Sequence, residues 1–170
     1  KSTVFNMLLG EHVSPVCDTA AATSRPVLVG NALRAGQCLE GNLLPEFHPL
    51  PLTKGEALIA SDTPDNALFV VQHDSLPDHL VLLDIPDVDS IEQRHWEVAE
   101  NIQAAGDVVI AVLTGEKYKD DRVVSFFRRA RKAGRLILPL MNKANPLDDY
   151  ASAKRHLGTF CEDVGLTPPA

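Results

Sequence analysis

The chain begins with KSTVFNMLLG, where a lysine and two hydroxyl residues stand directly before an apolar run. This order matches the end of the pattern G-x-x-x-x-G-K-[ST]. In that pattern glycine backbone N–H groups wrap phosphates, the lysine reaches the terminal phosphates and the next hydroxyl binds Mg²⁺. Lys1 and Ser2 are therefore candidate phosphate and metal ligands, with Thr3 beside them. The alternative is plain helix capping, for which Ser and Thr are common residues.

Two more candidate groups follow apolar stretches that are typical of strands. LVLLDIPD places Asp84 at a strand end, and LILPLMNKAN leads into Asn142 and Lys143. A carboxylate in such a position can hold Mg²⁺ directly or through water, and open α/β sheets bind ligands at the carboxyl ends of their strands. Each feature also has an ordinary explanation, because Asp before Pro starts turns and polar residues open loops.

The residues after Lys1 predict a helix that would present the first candidate groups. Val4, Met7 and Leu8 have helical spacing and are expected to form its apolar face, and Gly10 is expected to end it. The positive N-terminus of this helix would point at a bound anion.

The strand that ends at Asp84 is predicted to belong to a hairpin. Residues 67–74 and 79–87 are two apolar strands joined by the short segment SLPD. PVLVGN predicts a further short strand. Residues 31–66 contain scattered Gly and Pro without a clean period, and they predict a long loop or insertion with one short helix.

The second half of the chain alternates helices with apolar strands. Strands of the type buried on both faces are predicted at 107–114 and 135–142, and helices at 90–105, 120–134 and 147–165. This alternation predicts an α/β fold with a mostly parallel sheet.

The composition argues against several other classes of protein. The 170 residues carry a net charge of −7, which disfavours a general nucleic-acid-binding surface. No apolar run reaches the length of a membrane span. Cys17, Cys38 and Cys161 are odd in number and widely spaced, which argues against a disulfide framework or zinc site and favours a reducing, cytoplasmic compartment.

The order of the motifs resembles that of the translation-factor-related class of GTPases: KST before a helix, then D-x-P, then N-K-x-N. The chain is similar to a GTPase domain of the Era-like or dynamin-like kind, in particular to large bacterial GTPases. The similarity runs from KSTVFNMLLG through TSRPV, LLDIPDVDS and DVVIAVLT to LMNKAN. It implies a Ras-like, three-layer P-loop NTPase fold over residues 1–170, with a loop insertion at about 31–66.

The resemblance implies roles for the residues of the phosphate side. Lys1 neutralises the β- and γ-phosphates, and Ser2 and Asp84 hold Mg²⁺. Thr23 is the switch threonine that meets Mg²⁺ and the γ-phosphate, with Ser24 as the alternative because the loop gives no unique register. Lys1 and Thr23 are then the groups closest to the chemistry, which relies on position and charge neutralisation without a covalent nucleophile.

The resemblance also implies the ligands and partners. Asn142, Lys143 and Asn145 belong to the base-binding motif, so the expected ligands are GTP and Mg²⁺. An unidentified protein partner or self-association is expected besides the guanine nucleotide. No nucleic-acid partner is expected, and membrane contact is expected only through other parts of the parent protein.

Three residues depart from the pattern of the family. Asp87 replaces the glycine of D-x-P-G, whose N–H group senses the γ-phosphate, and Val88 replaces a residue that orients water. Intrinsic hydrolysis is therefore expected to be slow, or to need a partner, an ion or self-association. Asn145 replaces the aspartate that accepts from guanine N1–H and N2–H₂, and an amide suits xanthine better.

The ends of the chain lead to a further expectation. The SAK at 152–154 lies in a predicted helix and is not taken as the last base-binding motif. A last strand with the true motif is therefore expected after residue 170. The glycine half of the phosphate-binding pattern is missing, so a first strand with those glycines is expected before Lys1. The strands that end at Asp84 and Thr114 would lack the neighbour between them, so the isolated chain is expected to be unstable or to aggregate.

Three functions remain open from the sequence. The first is a guanine-nucleotide switch or slow Mg²⁺-dependent GTPase, in which the triphosphate orders Thr23 and residues 84–90. The second is a degenerate G domain that acts as a binding or scaffold module. The third is a relative that uses xanthosine triphosphate (XTP) or ATP.

Overall fold

The chain folds into two compact α/β units, Lys1–Ala99 and Glu100–Ala170. Three of the four strand pairs among the described residues are parallel, so the predicted α/β class with a mostly parallel sheet is confirmed. The structure is a computed structural model. It describes residues 1–14, 25–52, 64, 66–86, 99, 102, 105–145 and 147–168.

The first unit is built around a four-stranded sheet in the order β2-β3-β1-β4. Strand β1 is parallel to β3 and antiparallel to β4, and β2 is parallel to β3. The helices and strands are α1 (Ser2–Leu9), β1 (Val27–Gly30), α2 (Ala32–Leu39), β2 (His48–Pro51), β3 (Ala67–Gln72) and β4 (Val81–Asp84). The segment 31–66, predicted as a loop with one helix, thus contains α2 and also the strand β2.

Helix α1 packs on the centre of this sheet. Phe5 and Leu9 are buried in one cluster with Val29 of β1 and Val71 of β3. The helix ends as predicted at Gly10, which adopts the left-handed conformation with φ 67°. The apolar contacts hold the N-terminus of α1 in place at the sheet.

The buried face of α1 differs from the predicted one. Met7 and Leu8 are exposed to 75% and 57%, whereas Ser2 and Asn6 are buried. The buried stripe has the expected helical spacing, but half of it is polar. The prediction was wrong because it counted only apolar residues, whereas the polar Ser2 and Asn6 make hydrogen bonds inside the fold, Ser2 to Asp84 and Asn6 to the segment that follows α1.

The predicted hairpin of β3 and β4 is also wrong, because β1 lies between these two strands. Gly30, the last residue of β1, is opposite both Gln72 of β3 and Val81 of β4. The connection 73–80 therefore crosses the end of β1. Asp78 holds it there: its carboxylate accepts from Asn31 Nδ2, and its carbonyl accepts from Arg34 Nε at 2.5 Å.

The turn from β1 into α2 is tight. Asn31 is the N-cap of α2, and its Oδ1 accepts from the backbone N–H of Arg34 at 3.0 Å. A Cβ atom at Gly30 would lie 2.9 Å from Arg34 Cβ, closer than real Cβ contacts. The close approach of the first turn of α2 therefore requires glycine at this position.

Two glycine substitutions are expected to change stability in opposite directions. Gly30→Ala should lower the free energy of unfolding by about 1–3 kcal/mol, because the added methyl overpacks against Arg34 Cβ. Gly36→Ala is the matched control. It lies within α2 with nothing within 4 Å of an added Cβ, so it should raise the free energy by about 0.5–1 kcal/mol through helix propensity.

Urea denaturation of the full-length protein measures both values. Equal effects of the two substitutions would contradict the tight turn.

The second unit has a two-stranded parallel sheet and two helices. They are β5 (Val108–Leu113), α3 (Asp121–Lys132), β6 (Leu136–Met141) and α4 (Tyr150–Val164). Asp120 caps α3 by accepting from the N–H groups of Arg122 and Val123 at 2.9 and 3.2 Å. Both predicted strands and both predicted helices of this region are present, with ends close to the predicted ones.

The strands of the second unit are buried on one face only, in contrast to the prediction. Ala111, Leu113 and Ile137 are buried, and α3 and α4 both contact β6. On the opposite face Ile110 and Leu138 are exposed to 41% and 48%. A continuous apolar run does not report which face a helix covers, so the sequence could not show this difference.

Other expectations for the chain concern its thiols and its helices. Cys38 and Cys161 are buried free thiols, and burial raises the pKa of Cys38 to about 11. Burial, with a smaller contribution from Glu162, also raises the pKa of Cys161.

Among the helices of the described part of the chain, none has the length and apolar character to cross a membrane. The helix predicted at 90–105 lies mostly outside the described residues.

Candidate functional site

Asp84 is the centre of the polar cluster in the first unit. It is the last residue of β4, where it lies opposite Val27 of β1, and it is only 3% exposed. Burial of a carboxylate is costly unless charged or hydrogen-bonding partners surround it. The position of Asp84 therefore depends on the groups that contact it.

Lys1 and Ser2 supply two of these partners from the start of α1. Ser2 Oγ donates to Asp84 Oδ2 at 2.6 Å, and Lys1 Nζ lies 3.3 Å from Asp84 Oδ1. The structure thus brings together Lys1 and Ser2 from one motif and Asp84 from another. Thr3 lies next to them in the first turn of α1, and its side chain is exposed.

Ser14 is a partner of Asp84 that the sequence analysis missed. Its Oγ donates to the same oxygen, Asp84 Oδ2, at 2.6 Å, and the residue is 3% exposed. Asn6 holds the backbone there: Asn6 Oδ1 accepts from the N–H groups of Val13 and Ser14, and Asn6 Nδ2 donates to Ser14 O at 2.7 Å. The available signal was Asn6, a polar residue one turn after Ser2 on the same helix face.

The N-terminus of α1 adds a positive partial charge to this cluster. Its first turn contains no acidic residue, so Asp84 provides a carboxylate at the end of the helix where negative charge is favourable. A phosphate would be favoured at the same end for the same reason. The cluster therefore combines a cationic side chain, a helix N-terminus and one buried carboxylate.

The donor atoms of the cluster fit Mg²⁺ better than a softer metal. Ser2 and Asp84 offer hydroxyl and carboxylate oxygens, which Mg²⁺ prefers, usually with several waters and phosphate oxygens completing the octahedron. In the part of the chain that the structure describes, no group of three or more His, Cys, Asp or Glu residues forms a metal site. A cation at Asp84 would therefore need a phosphate ligand or water.

The residues of the predicted base-binding motif follow β6 in the second unit. The N–H group of Asn142 donates to Leu113 O at 2.8 Å, which extends the pairing of β6 with β5. Lys143 is exposed and has φ 58°, a left-handed conformation that non-glycine residues adopt at a cost. Leu44, in the first unit, is the other non-glycine residue with positive φ among the described residues.

The side chain of Asn145 is engaged within its own loop. Its Nδ2 donates to Asp148 Oδ2 at 2.6 Å, and its Oδ1 accepts from the N–H group of Leu147 at 3.0 Å. Its backbone N–H also donates to Asp149 Oδ2 at 2.9 Å. Both polar ends of the amide therefore have partners in this structure, and Asp148 is directly connected to the motif.

Several predicted residues lie outside the described part of the chain. They are Thr23, with its alternative Ser24, and the departures Asp87 and Val88. Their predicted roles stay predictions. SAK lies inside α4, as expected, and Ser152 Oγ donates to the carbonyl of Asp149 at 2.9 Å.

The hydrogen bonds of Asn6 give a prediction for stability. Asn6→Ala leaves the N–H groups of Val13 and Ser14 without their acceptor, so it should lower the free energy of unfolding by about 1–3 kcal/mol. Met7→Ala is the neighbouring control, because Met7 is 75% exposed, and it should change the value by less than about 0.5 kcal/mol. Chemical denaturation of the full-length protein checks both. A loss for Asn6→Ala no larger than that for Met7→Ala would contradict the assigned bonds.

Comparison with known proteins gives no relative for this chain. No family model, no curated protein and no solved structure matches it. The function of the cluster must therefore be inferred from Lys1, Ser2, Asp84 and their surroundings, together with the sequence motifs.

Proposed function

We propose that this chain carries the phosphate and Mg²⁺ side of a P-loop GTPase of the Era-like or dynamin-like kind, which binds GTP and hydrolyses it slowly to GDP and phosphate. One observation carries the proposal. The Ser2 hydroxyl, next to Lys1 at a helix N-terminus, donates to the Asp84 carboxylate, 82 residues away in sequence. A P-loop NTPase uses the same three group types for Mg²⁺ and the phosphates.

In this proposal the residues act by position and charge. Lys1 would neutralise the β- and γ-phosphates, and Ser2 and Asp84 would hold the cation. Mg²⁺, when bound, would supply positive charge that offsets the charge of the phosphates. Water attacks the γ-phosphorus while the bond to the bridging oxygen breaks, which leaves GDP and inorganic phosphate.

Nucleotide binding requires Lys1 to change partner. Its Nζ lies 3.3 Å from Asp84 in this structure, and it must turn to the phosphates when they bind. A cation held by Ser2 and Asp84 would then supply the positive charge that Lys1 supplies beside Asp84 in this structure. The buried carboxylate is thus compensated in both states, which avoids the cost of an unpaired buried charge.

A second candidate is a nucleotide-binding domain of the same kind with altered base specificity. It is favoured by the loop of Asn145, whose amide donates to Asp148 and accepts from Leu147. An amide in place of a carboxylate offers guanine one acceptor oxygen instead of two. The xanthine edge, which carries an acceptor where guanine carries an amino group, suits it better.

The test of the proposal is a titration of the full-length protein with GTP, XTP and ATP in the presence of Mg²⁺. Lys1→Ala removes a charge-assisted contact, worth about 1.5–3 kcal/mol, and should weaken nucleotide binding by about 10–100-fold. Lys132→Ala, at the end of α3, is the matched control and should leave binding unchanged. Absence of binding for all three nucleotides would contradict the proposal and favour the scaffold function.

A paired substitution tests which base is read. Asn145→Asp combined with Asp148→Asn keeps the net charge and allows the hydrogen bond between the two side chains to form in reverse. It also restores two acceptor oxygens at position 145, so GTP affinity should rise by about tenfold or more relative to XTP affinity. Isothermal titration calorimetry measures the ratio. An unchanged ratio would show that residue 145 does not contact the base.

A further inference from the structure

Asp84 has one partner that the proposed function does not use. In the proposed function Lys1 turns to the phosphates, which weakens its contact with Asp84, and the Ser2 hydroxyl is shared between the cation and Asp84, because its oxygen binds the cation while its O–H can still donate. Ser14 has no role toward the phosphates or the cation. Its hydrogen bond of 2.6 Å to Asp84 Oδ2 can therefore be given to the carboxylate alone.

The position of Ser14 is set by the same helix that presents Ser2. Asn6 lies one turn after Ser2 on the buried face of α1, and it hydrogen-bonds both the N–H and the carbonyl of Ser14. Glu11, earlier in the same segment, lies 3.2 Å from His73 Nε2. The chain after Gly10 thus turns back along α1 and is held with its Ser14 hydroxyl at Asp84.

We propose that Ser14 is a positioning residue of the Mg²⁺ site, which holds the Asp84 carboxylate in the orientation that receives the cation. This inference rests on the proposed function. The physical reason is that the outer torsion of an aspartate is broad, so a carboxylate that loses its other partners can rotate unless a hydrogen bond fixes it. Partners of metal-binding carboxylates typically contribute a factor of about 10–100 to metal affinity.

The test compares hydroxyl and methyl side chains at position 14 in the full-length protein. Ser14→Ala removes the hydroxyl, and Ser14→Thr retains it. Ser14→Val matches Thr in shape without the hydroxyl, so the pair Thr and Val remains informative if Ala fails to fold. Thr167→Ala, which removes an exposed hydroxyl in the second unit, is the control.

Two measurements separate positioning from a structural role. The first is the MgCl₂ concentration at half-saturation of nucleotide binding, with whichever of GTP, XTP and ATP binds best. The second is the affinity for that nucleotide in EDTA. Ser14→Ala and Ser14→Val should raise the MgCl₂ concentration at half-saturation about 10–100-fold. Their nucleotide affinity in EDTA should stay within about twofold of the wild-type value. Ser14→Thr should stay near the wild type in both measurements.

The contrary outcomes are distinct. An unchanged Mg²⁺ requirement in Ser14→Ala and Ser14→Val, with normal binding by the wild type, would overturn the role of Ser14 alone. Equal losses of nucleotide affinity with and without Mg²⁺ would assign Ser14 a structural role and overturn the inference. Failure of all three Ser14 variants to fold would do the same. Failure of the wild type to bind any of the three nucleotides would overturn the proposed function, and the inference with it.

Discussion

A buried carboxylate at the end of a strand constrains the first unit more than any other single group. Asp84 is nearly inaccessible to water, so its charge must be compensated by the protein. Three residues do this: Lys1 and Ser2 at the start of α1, and Ser14 in the segment that follows the helix. The start of α1 and the return of the chain to Ser14 both serve this requirement, because each brings a polar group to Asp84.

The sheet provides the fixed end of this arrangement. Strand β4 pairs only with β1 among the described strands, and the connection before it is tied to the start of α2 through Asp78, Asn31 and Arg34. The apolar contacts of Phe5 and Leu9 hold α1 on β1 and β3. Asp84 and the N-terminus of α1 therefore meet at one place because two independent sets of contacts position them, one polar and one apolar.

The predicted base-binding motif is organised differently. Lys143 has a left-handed conformation, and Asn145 donates from its side-chain nitrogen to Asp148 and accepts from the N–H group of Leu147. These bonds join residues close together in the sequence, whereas the cluster around Asp84 depends on partners far apart in the sequence.

Local sequence determined the class of the fold, most strands and helix ends, and the candidate set Lys1, Ser2 and Asp84. Strand and helix patterns repeat over a few residues, and Gly10 and Asp120 act within one turn, so no distant contact is needed to read them. Tertiary structure decided that β1 separates β3 from β4, that Ser2 and Asn6 face inward, and that Ser14 reaches Asp84. Asn6 is buried through its bonds to Val13 and Ser14, just after the end of α1. The strand order and the contacts of Ser2 and Ser14 with Asp84 depend on partners far apart along the chain, up to 82 residues in the case of Ser2 and Asp84. No spacing within a short window of sequence specifies such a contact, because it forms only when strand order and helix orientation are both set.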